Sequence, residues 1–447
     1  MEIKSNPIAL LPILVFLVLY LGLGLFFEYG LGISMGFYNI PVVGAFLVAI
    51  IVACCQNRKL SLDKKIGIMA KGVGDKNIMM MLLIFLLAGV FTGIVGQSSA
   101  AAVSYFMLDI IPVEFAAAVI FVVACFISMA MGTSCGTIAV LTPIAVSISS
   151  ISGLSLPFCV ATVIGGAMFG DNLSFISDTT VAATSGQGCQ MKDKFKANFW
   201  IALPAAIVAL IIILIISLTG TYQPLVIPDY NLVLIIPYVI VLVCAIIGIN
   251  VFIVLLLGII SGIITVLATG ANTFVDLVSG MGAGISGMFE VSMVAILVAA
   301  MSALIIQHGG FEAIKNGIKK VFKGKAGSKL GIGVLVSAMD IATANNTVAI
   351  ILANPIAKDI AEENGILPKK TASILDTFSC VLQGILPYGA QMLMALSAVI
   401  TAGYVISAFD VIPYMFYPFL LLISVLVFIF VIDKITDRKK KTETKNE

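Results

Sequence analysis

Charge is what this sequence has least of. Only 11% of its 447 residues are Asp, Glu, Lys or Arg, and 60% are apolar, where soluble globular proteins carry about 25% charged and 45–50% apolar residues. A soluble fold needs polar residues to cover its surface. The composition therefore excludes a soluble enzyme, a nucleic-acid-binding protein and a disordered chain. Histidine is nearly absent: His308 stands alone, which argues against a histidine-based metal site or proton relay. The eight cysteines lie in apolar segments or at their ends, without metal-ligand spacing. They read as small buried hydrophobes, not as a disulfide framework or a zinc site. No long polar stretch is left for an extramembrane domain, and no cofactor is expected. What is present is apolar length, enough for about ten to twelve membrane-spanning helices of roughly 20 residues each. The run from Ile8 to Phe27 is of full span length without a clear small-residue cleavage site, and so reads as a retained first helix and not a signal peptide.

Candidate spans fall at 8–27, 37–55, 78–108, 156–186, 198–219, 231–249, 250–269, 288–307, 371–403 and 411–432. The scarce basic residues orient them. All 25 lie at Lys4, between Arg58 and Lys76, at Lys192, Lys194 and Lys196, from Lys315 to Lys329, at Lys358, Lys369 and Lys370, and from Lys434 onward. The alternate connections near 28–36, 109–112, 220–230, 270–287 and 404–410 have none. The excess of Lys and Arg in cytoplasmic loops then places both termini in the cytoplasm. The parity holds only if 113–151 and 331–363 enter and leave on one side, as re-entrant helical hairpins. The first would be about 58 Å long as a single helix, far more than one span. Its middle, Gly132-Thr-Ser-Cys-Gly-Thr137, is small and polar, as a turn at membrane depth would be; the second has Asp340-Ile-Ala-Thr-Ala-Asn-Asn-Thr347 there.

The halves match at an offset of about 210 residues. Ser134-Cys-Gly-Thr-Ile-Ala-Val140 aligns with Ala344-Asn-Asn-Thr-Val-Ala-Ile350, with Pro143 and Pro355 downstream, and Gly72-Val-Gly74 aligns with Gly282-Ala-Gly284. The first glycine pair falls on the cytoplasmic side and the second outside, so residues 1–219 and 220–432 are expected to form repeats of inverted topology, followed by a cytoplasmic basic tail at 433–447. Inverted repeats with interrupted helices are a mark of secondary transporters, whose site lies near the membrane midplane. The expected fold is thus an all-α polytopic membrane protein of about ten spans, two re-entrant hairpins (113–151 and 331–363) and two broken helices (156–186 and 371–403).

The broken helices hold the chemistry. Gly170-Asp-Asn-Leu-Ser-Phe-Ile-Ser-Asp-Thr-Thr180 interrupts one, and Asp376 to Tyr388 the other. Unwound backbone at membrane depth is tolerated only where it lines a cavity or is buried in protein. It exposes carbonyl oxygens, which with hydroxyl, amide and carboxylate oxygens suit a hard cation such as Na⁺. Carboxylates inside the bilayer are costly and mark ion or proton paths. Asp171 and Asp178, two helical turns apart, are the first candidates to bind Na⁺ or H⁺, followed by Asp340 and Asp376. Asn172, Ser174, Ser177, Thr179 and Thr180, the hairpin residues Thr133, Ser134 and Thr137, and Asn345, Asn346 and Thr347 would supply further polar ligands. A site that takes either Na⁺ or a proton, but not both, is the minimal physical basis of antiport. Glu290 and His308 read as interfacial residues, Asp276 as part of an amphipathic external stretch, and 56–77 as a surface segment held by anionic lipid. The glycine pairs Gly132/Gly136, Gly166/Gly170 and Gly258/Gly262 read as helix-packing motifs.

Phe169-Gly-Asp-Asn-Leu-Ser-Phe-Ile-Ser-Asp-Thr-Thr180, with Gly132-Thr-Ser-Cys-Gly-Thr137 and Pro143, resembles the NhaC-type sodium/proton antiporters of the ion-transporter superfamily. The resemblance covers nearly the whole chain. It implies a multi-pass carrier of the cytoplasmic membrane that exchanges Na⁺ for H⁺, with Asp171, Ser174, Ser177, Asp178, Thr179 and Thr180 matching the central motif. It also leans toward an elevator motion and a homodimer. The sequence departs from the family pattern at Asn172, where a lysine is typical, and at Phe175, where a proline is. A missing lysine alters the charge balance, which keeps a second expectation open: a Na⁺- or H⁺-coupled carrier of an amino acid or small organic acid, held by the uncharged polar groups of the second half.

Overall fold

In a computed structural model, which describes residues 4–33, 40–95, 98–220, 222 and 227–433, every regular element is helical. Among these residues nine helices are long and apolar enough to cross a membrane, or ten if the bent pair Ala408–Tyr414 and Phe416–Ile432 counts as one span. The chain is a polytopic membrane protein. The basic tail from 434, and parts of the expected connections at 28–36 and 220–230, lie outside the described residues.

Four interrupted elements build the centre. The first hairpin consists of Val113–Met131 and Ser134–Ser152. Its turn is possible because Gly132 adopts the left-handed conformation (φ 67°) and Thr133 then caps the second limb by accepting from the Gly136 amide. The second hairpin, Gly324–Thr343 and Asn346–Glu363, turns the same way: Ala344 is left-handed (φ 46°) and Asn345 caps by accepting from the Val348 amide. An alanine there is strained, and Asn345 and Tyr388 help to hold it. After each hairpin comes a long, broken segment: Leu156–Leu173 then Asp178–Gln187, and Pro368–Ile385 then Ala390–Thr401. The matching helices begin at Ser134 and Asn346, Leu156 and Pro368, and Asp178 and Ala390, a constant offset of 212, so the sequence alignment of Ser134 with Ala344 is two residues out of register.

Contacts fix the relative direction of these elements. Each broken segment runs on past its break without a sharp bend. Asp178–Gln187, beyond the first break, packs on Asn346–Glu363 of the second hairpin. Ala390–Thr401, beyond the second break, packs on Ser134–Ser152 of the first. The two hairpins therefore reach the centre from opposite sides. The surrounding helices swap partners in the same manner: Phe274–Gly287 packs on Lys76–Val95, while Leu62–Val73 packs on Phe289–Gln307.

Some boundaries differ from the sequence reading. The expected span 78–108 is two helices, Lys76–Val95 and Ser98–Ile110. The expected connection 270–287 contains the helix Phe274–Gly287, which continues into Phe289–Gln307. Glycine explains the second case. A Cβ on Gly93 would lie 2.0 Å from the Gly280 carbonyl oxygen, and one on Gly284 would lie 2.0 Å from that of Gly89. Two antiparallel glycine faces thus meet backbone to backbone, and a segment poor in large side chains becomes a packed helix. Each limb of the first hairpin is also long enough to cross a membrane by itself, which a re-entrant loop did not require. Gly166 and Gly170 do serve packing, against the carbonyls of Phe121 and Cys125, whereas Gly132 serves the turn.

Gly284→Ala should lower stability by about 1–3 kcal/mol, the usual cost of overpacking. Gly282→Ala, where an added Cβ meets nothing within 4 Å, should be neutral or slightly stabilising. Thermal unfolding of the two variants in detergent separates them; equal losses would contradict the glycine contact.

Candidate functional site

The tips of both hairpins and the edges of both breaks line one cavity of about 60 Å³, room for a cation and a few waters. Of the predicted residues, Thr133, Ser134, Asp171, Asp178, Thr179, Asn345, Asn346 and Thr347 are in its wall, together with Asn77, Met81, Gln383 and Gln391. Asp171 ends one helix and Asp178 begins the next, so the break brings them to the same space from two sides. Asp171 is buried and Asp178 exposed. The start of a helix favours the Asp178 carboxylate.

A directed chain of hydrogen bonds crosses the site. Gln383 Nε2 donates to Gln391 Oε1 (2.6 Å), Gln391 Nε2 to Ser134 Oγ (3.0 Å), and Ser134 Oγ to Asp171 Oδ2 (2.9 Å). An amide nitrogen can only donate, so Ser134 is left with its proton pointing at Asp171. Two residues of the second half thereby set how a first-half carboxylate is solvated. Gln383 also donates to the Ala344 carbonyl (3.1 Å), which ties the network to the second hairpin tip.

Other predicted residues shape the break and do not face the cavity. Ser174 Oγ donates to the Met129 carbonyl (2.8 Å) and Tyr388 Oη to the Ile341 carbonyl (2.9 Å). Met129 and Ile341 each stand three residues before the left-handed turn, so both halves clamp break to hairpin at the same place. Ser177 Oγ reaches the Asp171 carbonyl (3.0 Å) and caps the next helix at the Thr180 amide. Thr180 Oγ1 donates to the Ser174 carbonyl (2.8 Å), and Thr137 Oγ1 bonds back within the hairpin tip, to the Thr133 carbonyl (3.0 Å) and Met131 Sδ (4.0 Å). Asp340 is fully buried near the second tip, and neither carboxylate oxygen has a hydrogen-bond partner among the described residues.

Asp376 belongs to a second cluster, centred on a residue that sequence reasoning placed in a cytoplasmic loop. Lys194 is fully buried and pairs with Asp376 at 2.5 Å. Its ammonium also donates to the Asn172 carbonyl and to Thr180 Oγ1, each at 2.7 Å. Asn198, one turn further along Met191–Leu218, donates to Asp376 (3.0 Å) and to the Asn172 side chain (3.1 Å), and Ser373 donates to Asn198. A lysine ammonium thus lies on the backbone of Asn172. The i, i+4 pair Lys194/Asn198 at the head of an apolar helix was the available signal, hidden by its neighbours Lys192 and Lys196. Asn172 and Thr180, which hold the ammonium, are the chain neighbours of Asp171 and Thr179 in the cavity wall, so the two clusters adjoin. His308, expected at the interface, is instead buried, and neither ring nitrogen has a hydrogen-bond partner among the described residues. Burial, then the nearby Lys65 ammonium, holds its imidazole below the usual histidine range.

A model of the Na⁺/H⁺ antiporter family matches the chain twice, at residues 2–221 and 221–432. The chain belongs to the Na⁺/H⁺ antiporter family. Its members are secondary transporters, and the family model matches each half of the chain in turn. A malate-2H⁺/Na⁺-lactate antiporter of Bacillus subtilis (strain 168) is 25% identical over 197 residues, 44% of this chain and 42% of that protein. An uncharacterized protein of Haemophilus influenzae (strain ATCC 51907 / DSM 11121 / KW20 / Rd) is 32% identical over 124 residues, 27% of this chain and 24% of that one. The matched stretches span less than half the length of either relative.

Ser134→Ala leaves Asp171 without its donor and Gln391 without its acceptor, and should cost about 1–3 kcal/mol in unfolding free energy; an unchanged midpoint in thermal melts would contradict the relay. A histidine depressed as His308 is takes up its proton on unfolding, so its effect is to make stability fall as pH drops through the ordinary value of 6.5. His308→Gln should flatten that acid-side loss, as read from melting temperature against pH; an unaltered slope would contradict it.

Proposed function

We propose that the protein is a multi-pass carrier of the cytoplasmic membrane that exchanges Na⁺ for H⁺ at Asp171 and Asp178. The observation that carries this reading is the convergence of the two carboxylates, from the two sides of one break, on a small cavity whose other polar groups are hydroxyls and amides. Among the described residues no three His, Cys, Asp or Glu side chains converge as a transition-metal site would require. An oxygen shell from Asp171, Asp178, Thr133, Ser134, Thr179 and the amides of the second tip suits a hard monovalent cation.

Exchange then follows from charge. An ionised Asp171 at membrane depth is costly unless neutralised, and either Na⁺ or a proton neutralises it. When Na⁺ enters, Asp171 gives its proton to water in the cavity; when a proton arrives, Na⁺ is released. Ser134, held by Gln391, stabilises the ionised form. If residues 1–219 and 220–432 move as inverted halves, the Gln391–Ser134 bond joins the moving parts, and the state of Asp171 is coupled to the state of the carrier. The positive-inside rule puts Lys76 in the cytoplasm, and the next residue, Asn77, is in the cavity wall, which favours a cavity that faces inward in this state. Asp340 is a second group able to carry a proton.

A carrier coupling Na⁺ or H⁺ to a small carboxylate is the alternative. The Bacillus subtilis relative and the amide-rich wall of Asn345, Asn346, Gln383 and Gln391 favour it.

In proteoliposomes with an imposed pH gradient, added Na⁺ should drive proton movement, and Asp171→Asn or Asp178→Asn should abolish it. Wild-type flux in either variant would falsify the assignment. Flux that requires malate or lactate as well as Na⁺ would select the alternative.

A further inference from the structure

The Lys194 ammonium occupies a place that the break in the first half makes suitable for a cation. Leu156–Leu173 ends there, so the Asn172 carbonyl is among the last carbonyls of a helix and lacks an intrahelical partner. Thr180 lies in the first turn of the following helix and turns its hydroxyl oxygen to the same point. Asp376 brings a carboxylate oxygen from the second half. One backbone carbonyl, one hydroxyl and one carboxylate oxygen, all buried, converge within 2.7 Å of a single atom. The ammonium has three protons and meets three acceptors. It is fully satisfied and has no reason to leave. An ordinary structural ion pair needs only the carboxylate. Here the ammonium also donates to the carbonyl and hydroxyl oxygens at the break, the ligand chemistry a hard monovalent cation takes.

We propose that this cluster is a second monovalent-cation site, beside the Asp171/Asp178 cavity, permanently filled by the Lys194 side chain. The tethered cation leaves the protein one exchangeable cation site while preserving the charge of two. Removing the ammonium without removing Asp376 exposes the second site to Na⁺.

The test uses full-length protein in detergent, with Asp171→Asn and Asp178→Asn present throughout, so that the result does not depend on the antiport reading. Melting temperature is followed against Na⁺, with choline as the control, at alkaline pH. With Lys194 in place, Na⁺ should have no specific effect. Lys194→Met should melt lower in choline and regain several degrees, saturably, in Na⁺, as binding to the folded state requires. Adding Asp376→Asn to Lys194→Met should remove both the deficit and the Na⁺ response, since charge and counter-charge then go together. The proposal is overturned if the Na⁺ response is the same with and without Lys194. It is overturned also if Na⁺ cannot recover Lys194→Met while the doubly neutral Lys194→Met/Asp376→Asn protein folds.

Discussion

A backbone group that faces hydrocarbon without a hydrogen bond costs several kcal/mol. This chain interrupts its helices at four places in its core and meets that constraint by making the interruptions serve one another. Hairpin turns are clamped by the side chains of the breaks, through Ser174 on Met129 and Tyr388 on Ile341. The break at 174–177 is closed by its own hydroxyls, with Ser177 on Asp171 and Thr180 on Ser174. What those bonds leave over, the Asn172 carbonyl, is taken by Lys194. The oxygens and carboxylates of the candidate site are by-products of this arrangement as much as they are ligands.

The same dependence explains the asymmetry between the halves. Equivalent positions carry Asp171 and Gln383, Asp178 and Ala390, Ser134 and Asn346. In the cavity wall the first half supplies the acids and the second the amides. Two acids facing two acids in so small a space would repel strongly. Amides donate to the acids' supporting hydroxyl and fix its direction, as Gln391 does for Ser134. At the cavity Asp171 is coupled to the second half through the neutral Gln391–Ser134 bond, while beside it the buried Lys194–Asp376 pair joins the halves by charge.

Much of this was legible in the sequence because periodicity and polarity report depth. Gly132, Asn345 and the polar stretch at 170–180 stand out against apolar surroundings, and they do mark the turns and a break. Asp171 and Asp178 were visible for the same reason, and the structure places both in the cavity wall. Charge misled where it met the end of a helix. Lys194 lies between Lys192 and Lys196 in a basic run, and nothing local shows that its side chain turns inward while theirs do not; that depends on Asp376, far away in sequence. Gln383 and Gln391 were equally hidden, since an amide in a polar stretch gains meaning only from its partner. The helix Phe274–Gly287 was missed because its packing face is glycine, which reads as a loop until another glycine face lies against it.

The central claim is that Na⁺ and a proton compete for Asp171. Equilibrium Na⁺ binding to the purified protein, followed across pH, tests it most directly. Competition predicts that Na⁺ affinity falls as the solution is acidified, that binding releases protons, and that Asp171→Asn abolishes both effects. Na⁺ affinity that does not change with pH, or binding that survives Asp171→Asn, would contradict it.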